Sequence, residues 1–213
     1  MSDRDFRLPT TVRPLRYDLR IDADLEQWRF RVDEVIEMHL AEPTSSITMH
    51  ALELDVRSAE ARLGDRVVAA RVSDNAEAET ITLRFTEPLP AGNVRVELEI
   101  RGVILERLRG FYRSTKDGER YAATQFEAAD ARRAFACFDE PSFKARFAIS
   151  LVVPEAATAI SNGKVVGERR LGNGRKEVQF AETPPISSYL VAYCIGPFEP
   201  TPEVETPGGW PVR

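Results

Sequence analysis

The sequence predicts an all-β domain, and three observations lead to that class. Apolar and charged residues alternate with a period of two in one run after another. Short turn signals rich in Gly, Pro and Asn separate the runs. The polar positions within the runs are largely charged, which marks strands with one buried and one solvated face, as in antiparallel sheets. Roughly ten such runs fit in the chain, whose length suits one large domain or two small ones.

Leu15, Tyr17, Leu19 and Ile21 open the series, alternating with Arg16, Asp18, Arg20 and Asp22. Phe30, Val32, Ile36, Met38 and Leu40 repeat it with one break, Glu34, and that break beside Val35 predicts a β-bulge. Leu52, Leu54 and Val56 follow, then Ile81, Leu83 and Phe85. Val94, Val96, Leu98 and Ile100 give the clearest alternation, set against Arg95, Glu97 and Glu99. A second group holds Phe147, Ile149, Leu151 and Val153, then residues 164–166, 178–180 and 188–195. Ser161-Asn162-Gly163-Lys164 and Leu171-Gly172-Asn173-Gly174 read as hairpin turns. One stretch departs from the rule. Residues 127–135, Glu-Ala-Ala-Asp-Ala-Arg-Arg-Ala-Phe, favour a short helix near 127–136, too short to stand without the sheet. Seven of the 14 prolines lie from Pro184 onward, so residues 201–213 read as a Pro-rich linker ending in a strand that begins at Trp210.

Charge and composition exclude several classes. The net charge of -5 gives a general nucleic-acid-binding role little support. The longest apolar segment, Tyr189 to Ile195, is far short of the ~18 residues a membrane-spanning helix needs. The N-terminal MSDRDFRLPT has no apolar core of a secretory signal. Cys137 and Cys194 are isolated, which favours reduced thiols and a cytoplasmic protein, with a disulfide between them as the alternative.

Few residues are available for chemistry. His39 and His50 stand eleven positions apart, with neither His-Glu-x-x-His nor Cys-x-x-Cys in the chain, so both read as strand histidines rather than zinc ligands. Gly-x-Ser-x-Gly, Gly-x-Gly-x-x-Gly and the phosphate-loop pattern are all missing. Between Arg109 and Tyr121, basic residues interleave with Phe111 and Tyr112, as on a nucleic-acid stacking platform. Asp117, Glu119, Glu127, Asp130, Asp139 and Glu140 offset that charge, so a solvated face is the simpler reading. Glu127 sits just ahead of the predicted helix, where the dipole favours a carboxylate oriented toward a cationic partner. From composition and spacing alone, it is an ordinary helix N-terminal acid.

A resemblance shifts that balance. Leu108-Arg-Gly-Phe-Tyr-Arg-Ser114, Ala123-Thr-Gln-Phe-Glu-Ala-Ala-Asp-Ala-Arg-Arg-Ala-Phe135 and Cys137-Phe-Asp-Glu-Pro141 closely resemble the N-terminal domain of M1-family zinc aminopeptidases of the puromycin-sensitive group. Pro14-x-x-Tyr17-x-Leu19, Ser161-Asn162-Gly163, Thr183-Pro184 and Ser188-Tyr-Leu-Val-Ala-Tyr193 extend the likeness over residues 8–200. The family usually has proline before the cysteine. Here the residue is Ala136, a departure expected to alter only a local turn.

The resemblance implies a strongly twisted, saddle-like domain of several sheets over residues 1–200, packed in a longer protein against a catalytic domain that holds the zinc. It implies that Glu127 binds the free α-ammonium of a peptide substrate and that Gln125 lines the pocket for the first side chain. It also implies a cis Glu127–Ala128 peptide bond. Arg132, Arg133, Asp139 and Glu140 are expected to be structural ion pairs, with no catalytic residue and no metal ligand on this chain. The role fits elementary physics. An enzyme that measures one residue from an amine needs an anionic anchor to set which bond meets the metal. At ~4 Å and an effective dielectric of ~20, a carboxylate–ammonium pair is worth about 4 kcal/mol of Coulomb energy before desolvation. The expected partners are peptide N-termini and the chain's own catalytic domain, with neither nucleic acid nor membrane. Two other readings stand beside this one: a non-catalytic scaffold of the same lineage, and a stand-alone β-sandwich that binds carbohydrate or peptide. Glu127 and Gln125 favour the first reading, because a scaffold has no use for an amine anchor.

Overall fold

The computed structural model describes residues 7–199, 201–202, 204–209 and 211–212. Its strands, in chain order, are β1 (Val12–Asp24), β2 (Arg29–Leu40), β3 (Thr44–His50), β4 (Asp55–Leu63), β5 (Arg66–Asn75), β6 (Thr80–Leu89), β7 (Gly92–Val103) and β8 (Gly110–Lys116). They continue with β9 (Glu119–Gln125), β10 (Arg146–Pro154), β11 (Thr158–Ser161), β12 (Val165–Gly172), β13 (Arg175–Phe180), β14 (Tyr193–Gly196), β15 (Val204–Glu205) and β16 (Pro211–Val212). The fold is all-β. Ten strands form one sheet in the order β12-β13-β10-β1-β2-β7-β4-β5-β6-β3, four form a second in the order β11-β14-β9-β8, and β15 pairs with β16. Every pairing is antiparallel except β1 with β10, which run parallel with Leu19 opposite Ile149.

The period-two reading located the centre of the large sheet. Tyr17, Leu19, Ile21, Val32, Ile36, Met38, Val96 and Ile100 are all buried on its inner face. The predicted bulge lies elsewhere. The β2 register passes through Glu34 without a shift, placing its side chain inward, whereas a bulge in β1 between Pro14 and Arg16 turns Leu15 out to solvent. Periodicity cannot separate an inward carboxylate from an inserted residue, since either one breaks the apolar stripe.

Several strands were missed. β8 and β9 form a hairpin whose turn residues Asp117 and Gly118 have φ of 53° and 86°. Asp-Gly is a strong signal for such a turn, and here the dense charge around it hid the strands. Residues 52–54 precede β4 instead of forming a strand, and the short stripe Val68, Ala70 and Val72 of β5 went unread. Asn173-Gly174 does close the β12–β13 hairpin, but residues 162–164 connect strands of different sheets. The expected long strand at 188–195 is a 3-10 turn, Ser188–Leu190, followed by the short β14.

The helix near 127–136 is absent, and a single 3-10 turn at Ala131–Arg133 stands in its place. Residues 131–139 are all buried, so this stretch has no polar face and helix propensity has no amphipathic packing to support it. Tertiary contacts set its backbone instead. The tail expected to be a linker carries the β15–β16 ladder, while Trp210 and Arg213 lie outside the described residues.

Aromatic rings join the two sheets. Phe30 of β2 meets Phe111 of β8 at 5.4 Å, and Phe111 meets Tyr193 of β14 at 4.9 Å. Tyr193 touches Phe126 at 6.1 Å, and Phe126 touches Phe135 at 5.9 Å. Phe135 in turn packs edge-on to Tyr17 and Phe147, which stack on one another at 4.8 Å. At the edge of the core, the Trp28 ring lies 5.4 Å from the Arg113 guanidinium and 5.7 Å from that of Arg120, which ties the β1–β2 turn to the β8–β9 hairpin.

Candidate functional site

Gln125 is the last residue of β9, opposite Gly110 of β8. Thr124 Oγ1 accepts the Tyr193 amide at 3.0 Å, which fixes the end of β9 to the start of β14. Beyond this point the chain turns sharply, and the Asp130 amide donates to the Phe126 carbonyl at 2.9 Å. Phe126 is buried under this turn, while Gln125 and Glu127 on either side of it are exposed. The Glu127–Ala128 peptide is cis, as the resemblance implied. One buried ring therefore anchors a segment that presents two polar side chains outward.

The acids of this region divide into two kinds. Asp130 accepts from Arg133 at 2.7 Å, Asp139 from Arg132 at 3.0 Å, and Glu140 from the Leu8 amide at 2.7 Å. Glu127 makes no ion pair or hydrogen bond with any described residue. Its carboxylate is exposed and uncommitted.

The expected ion pairs are present and reach further than the sequence indicated. Arg132 also binds Glu79 at 2.8 Å, and Arg133 binds Glu53 at 2.7 Å. Burial alone would raise the Glu53 carboxyl, but hydrogen bonds from Arg107 and Arg133 outweigh it and hold the group below its ordinary value. These pairs tie the 3-10 turn to the β3–β4 connection and to the β5–β6 turn. Gly110 makes room for the arrangement: with φ of 69°, a Cβ there would lie 3.1 Å from the Arg133 Cβ. Asp139 accepts as well from Ser188 Oγ at 2.5 Å, bringing in the segment just before β14.

The histidines differ. His39 is exposed on β2 beside Asn93, whereas His50 is 5% exposed and its Nδ1 accepts the Asp139 amide at 3.2 Å. Burial, aided by the Arg132 charge, lowers the His50 pKa to about 4. Among the described residues, no group of three or more His, Cys, Asp or Glu is placed to hold a metal ion. Cys137 and Cys194 are both free thiols.

Sequence reasoning noted Glu34 only as a break in a stripe. It is 1% exposed, and its Oε2 accepts the Ala136 amide at 3.1 Å. Ala136 thus brings a buried N–H, a group proline does not have. The departure from the family pattern is therefore not confined to a local turn, since it engages β2.

Similarity to known proteins extends over most of the chain. Residues 13–190 match the family model of the peptidase M1 N-terminal domain. The chain is 39% identical over 197 residues to Aminopeptidase M1-B of Oryza sativa subsp. japonica, a match covering 91% of this chain and 22% of that protein. It is 36% identical over 194 residues to Aminopeptidase 2 of Candida albicans, covering 89% of this chain and 21% of the relative. Against the puromycin-sensitive aminopeptidase of Caenorhabditis elegans, identity is 36% over 201 residues, again 91% of this chain and 21% of the relative. The chain thus spans about a fifth of the length of the relatives it matches.

Proposed function

Since the chain belongs to the peptidase M1 N-terminal domain family, we propose that it is the substrate-anchoring domain of a zinc-dependent aminopeptidase acting on peptide N-termini. The observation that carries this reading is the Glu127 carboxylate, exposed and without an ion pair among the described residues beside a segment whose other acids are engaged. An acid kept free of internal partners is available to a cation from outside, and a peptide's terminal ammonium is such a cation. Gln125, exposed two residues earlier on the same turn, would contact the first side chain of the substrate. Together they would hold the substrate in one register, so that the bond after the first residue is the one presented for hydrolysis.

In this proposal residues 1–200 form the anchoring domain and residues 201–213 the link to a catalytic domain. Zinc and the hydrolytic groups belong to that other domain, and the protein works in the cytoplasm. The chain alone is expected to release no product from aminoacyl chromogenic substrates, with or without added zinc.

The decisive experiment is Glu127→Gln in the full-length protein. Removing the charge while keeping the shape should lower kcat/KM about 10–100-fold, chiefly through KM, the range expected for a charged hydrogen bond. An unchanged kcat/KM would rule out an anchoring role for this carboxylate.

A further inference from the structure

Glu34 poses a question that the proposed function leaves open. It lies on the inner face of β2, paired across the ladders with Leu19 and Leu98. Among the described residues, no cation pairs with it. Its Oε2 accepts the Ala136 amide, while Oε1 is buried with no hydrogen-bond partner among the described residues. An ionised carboxylate is very costly in such a place, and leucine would fit a stripe of valine, isoleucine and methionine better.

Its one contact leads directly to the candidate site. Ala136 follows Phe135, whose ring packs on Phe126, and Phe126 is the residue between Gln125 and Glu127. Ala136 is 0% exposed and belongs to no helix or strand, so its N–H depends on a side chain for a partner. We propose that Glu34 is a positioning residue for the Gln125–Glu127 turn, acting as the buried acceptor that holds the Ala136 amide and, through Phe135 and Phe126, the two exposed side chains. This inference rests on the substrate-facing role proposed for that turn.

The same geometry makes the support sensitive to pH. Burial pushes the Glu34 carboxyl well above its ordinary value, against a smaller opposite pull from the Ala136 amide. The titratable groups that interact with it are Tyr17 of β1, Tyr193 of β14 and Cys137 of the connecting segment, and Cys137 in turn feels the charges of Asp139 and Arg132. Burial raises the two phenols and the thiol as well, so all three stay uncharged near neutrality, and none of them can become a cation that would balance an ionised Glu34. The folded state retains a proton that the unfolded chain releases above its ordinary carboxyl pKa. This contribution to stability is therefore complete in acid and declines as pH rises toward the elevated value. As pH rises, the opened form can release the proton to water, so local opening becomes progressively more favourable and the turn loosens with it.

The test uses amide hydrogen exchange across residues 126–138, corrected for intrinsic rates, between pH 5 and pH 9. No substrate is present, so the result does not depend on whether Glu127 binds an amine. In the parent chain, protection of this segment should fall at least tenfold toward pH 9. Glu34→Gln keeps an acceptor and removes the titration, so it should hold its protection across the range. Glu34→Leu should lose at least tenfold at every pH. Adding Ala136→Pro to the leucine variant removes the stranded N–H and should restore protection. Full protection in the leucine variant, or identical pH profiles for the parent and the glutamine variant, would overturn the proposal.

Discussion

His50 and Glu34 face the same core region but respond to pH in opposite ways. Burial holds His50 neutral, with a folded pKa of about 4 against an ordinary 6.5. The unfolded chain binds that proton more readily, so the stability His50 contributes is complete above pH 6.5 and is lost as pH falls toward 4. Thermal melting of the chain should therefore show a falling acid limb in that window. In His50→Asn, whose side-chain oxygen can still accept the Asp139 amide without titrating, the limb should be visibly shallower; equal slopes would acquit the histidine. Neither role was legible beforehand. An alternating pattern shows that a residue sits on a strand, but the partner of a buried polar group lies about 90 to 100 positions away in the chain for both residues. Gln125 and Glu127 stand out only through the resemblance of a contiguous motif to a known family, since composition and spacing leave Glu127 an ordinary helix N-terminal acid.

At the scale of the element, the segment after β9 shows how weak local preference is against a set of buried contacts. Alanine-rich composition pointed to a helix, yet the chain makes one 3-10 turn because Arg132 and Arg133 each reach two acids. Those arginines are about 9% exposed and Asp139 is 5% exposed, so the Arg132–Asp139 pair is largely withdrawn from water, whereas Glu53 and Glu79 keep contact with it. Arg132→Ala would leave the Asp139 charge inside without its cation and should cost about 3–5 kcal/mol in chemical denaturation. A loss below about 1 kcal/mol would show that Ser188 and backbone groups satisfy Asp139 unaided. The strands were legible where one face is apolar and the other charged, as in β2 and β7. They were illegible where the apolar face is short and made of small residues, as in Val68, Ala70 and Val72 of β5, or where the strand is too short for a pattern, as in β11.

For the molecule as a whole, several strands lie beside partners far apart in the chain. β1 lies between β2 and the much later β10, and the β9 strand that carries Gln125 lies between β8 and the later β14. No alternation rule gives that order, because a strand's pattern reports the face it buries and not the strand beside it. A chain ended at Pro141 would lack β10 and β14, leaving β1 with one open edge and Thr124 without its Tyr193 partner. It is expected to give no cooperative thermal transition, and a sharp transition near that of the full chain would show that the first nine strands suffice. The parallel ladder of β1 and β10 also sets a timetable for biosynthesis. Leu19 leaves the ribosome long before its partner Ile149 exists, and at about 5–20 residues per second the interval is on the order of ten seconds. Through that interval the nascent chain carries a long strand with an unpaired rim, a natural target for a chaperone that binds extended segments.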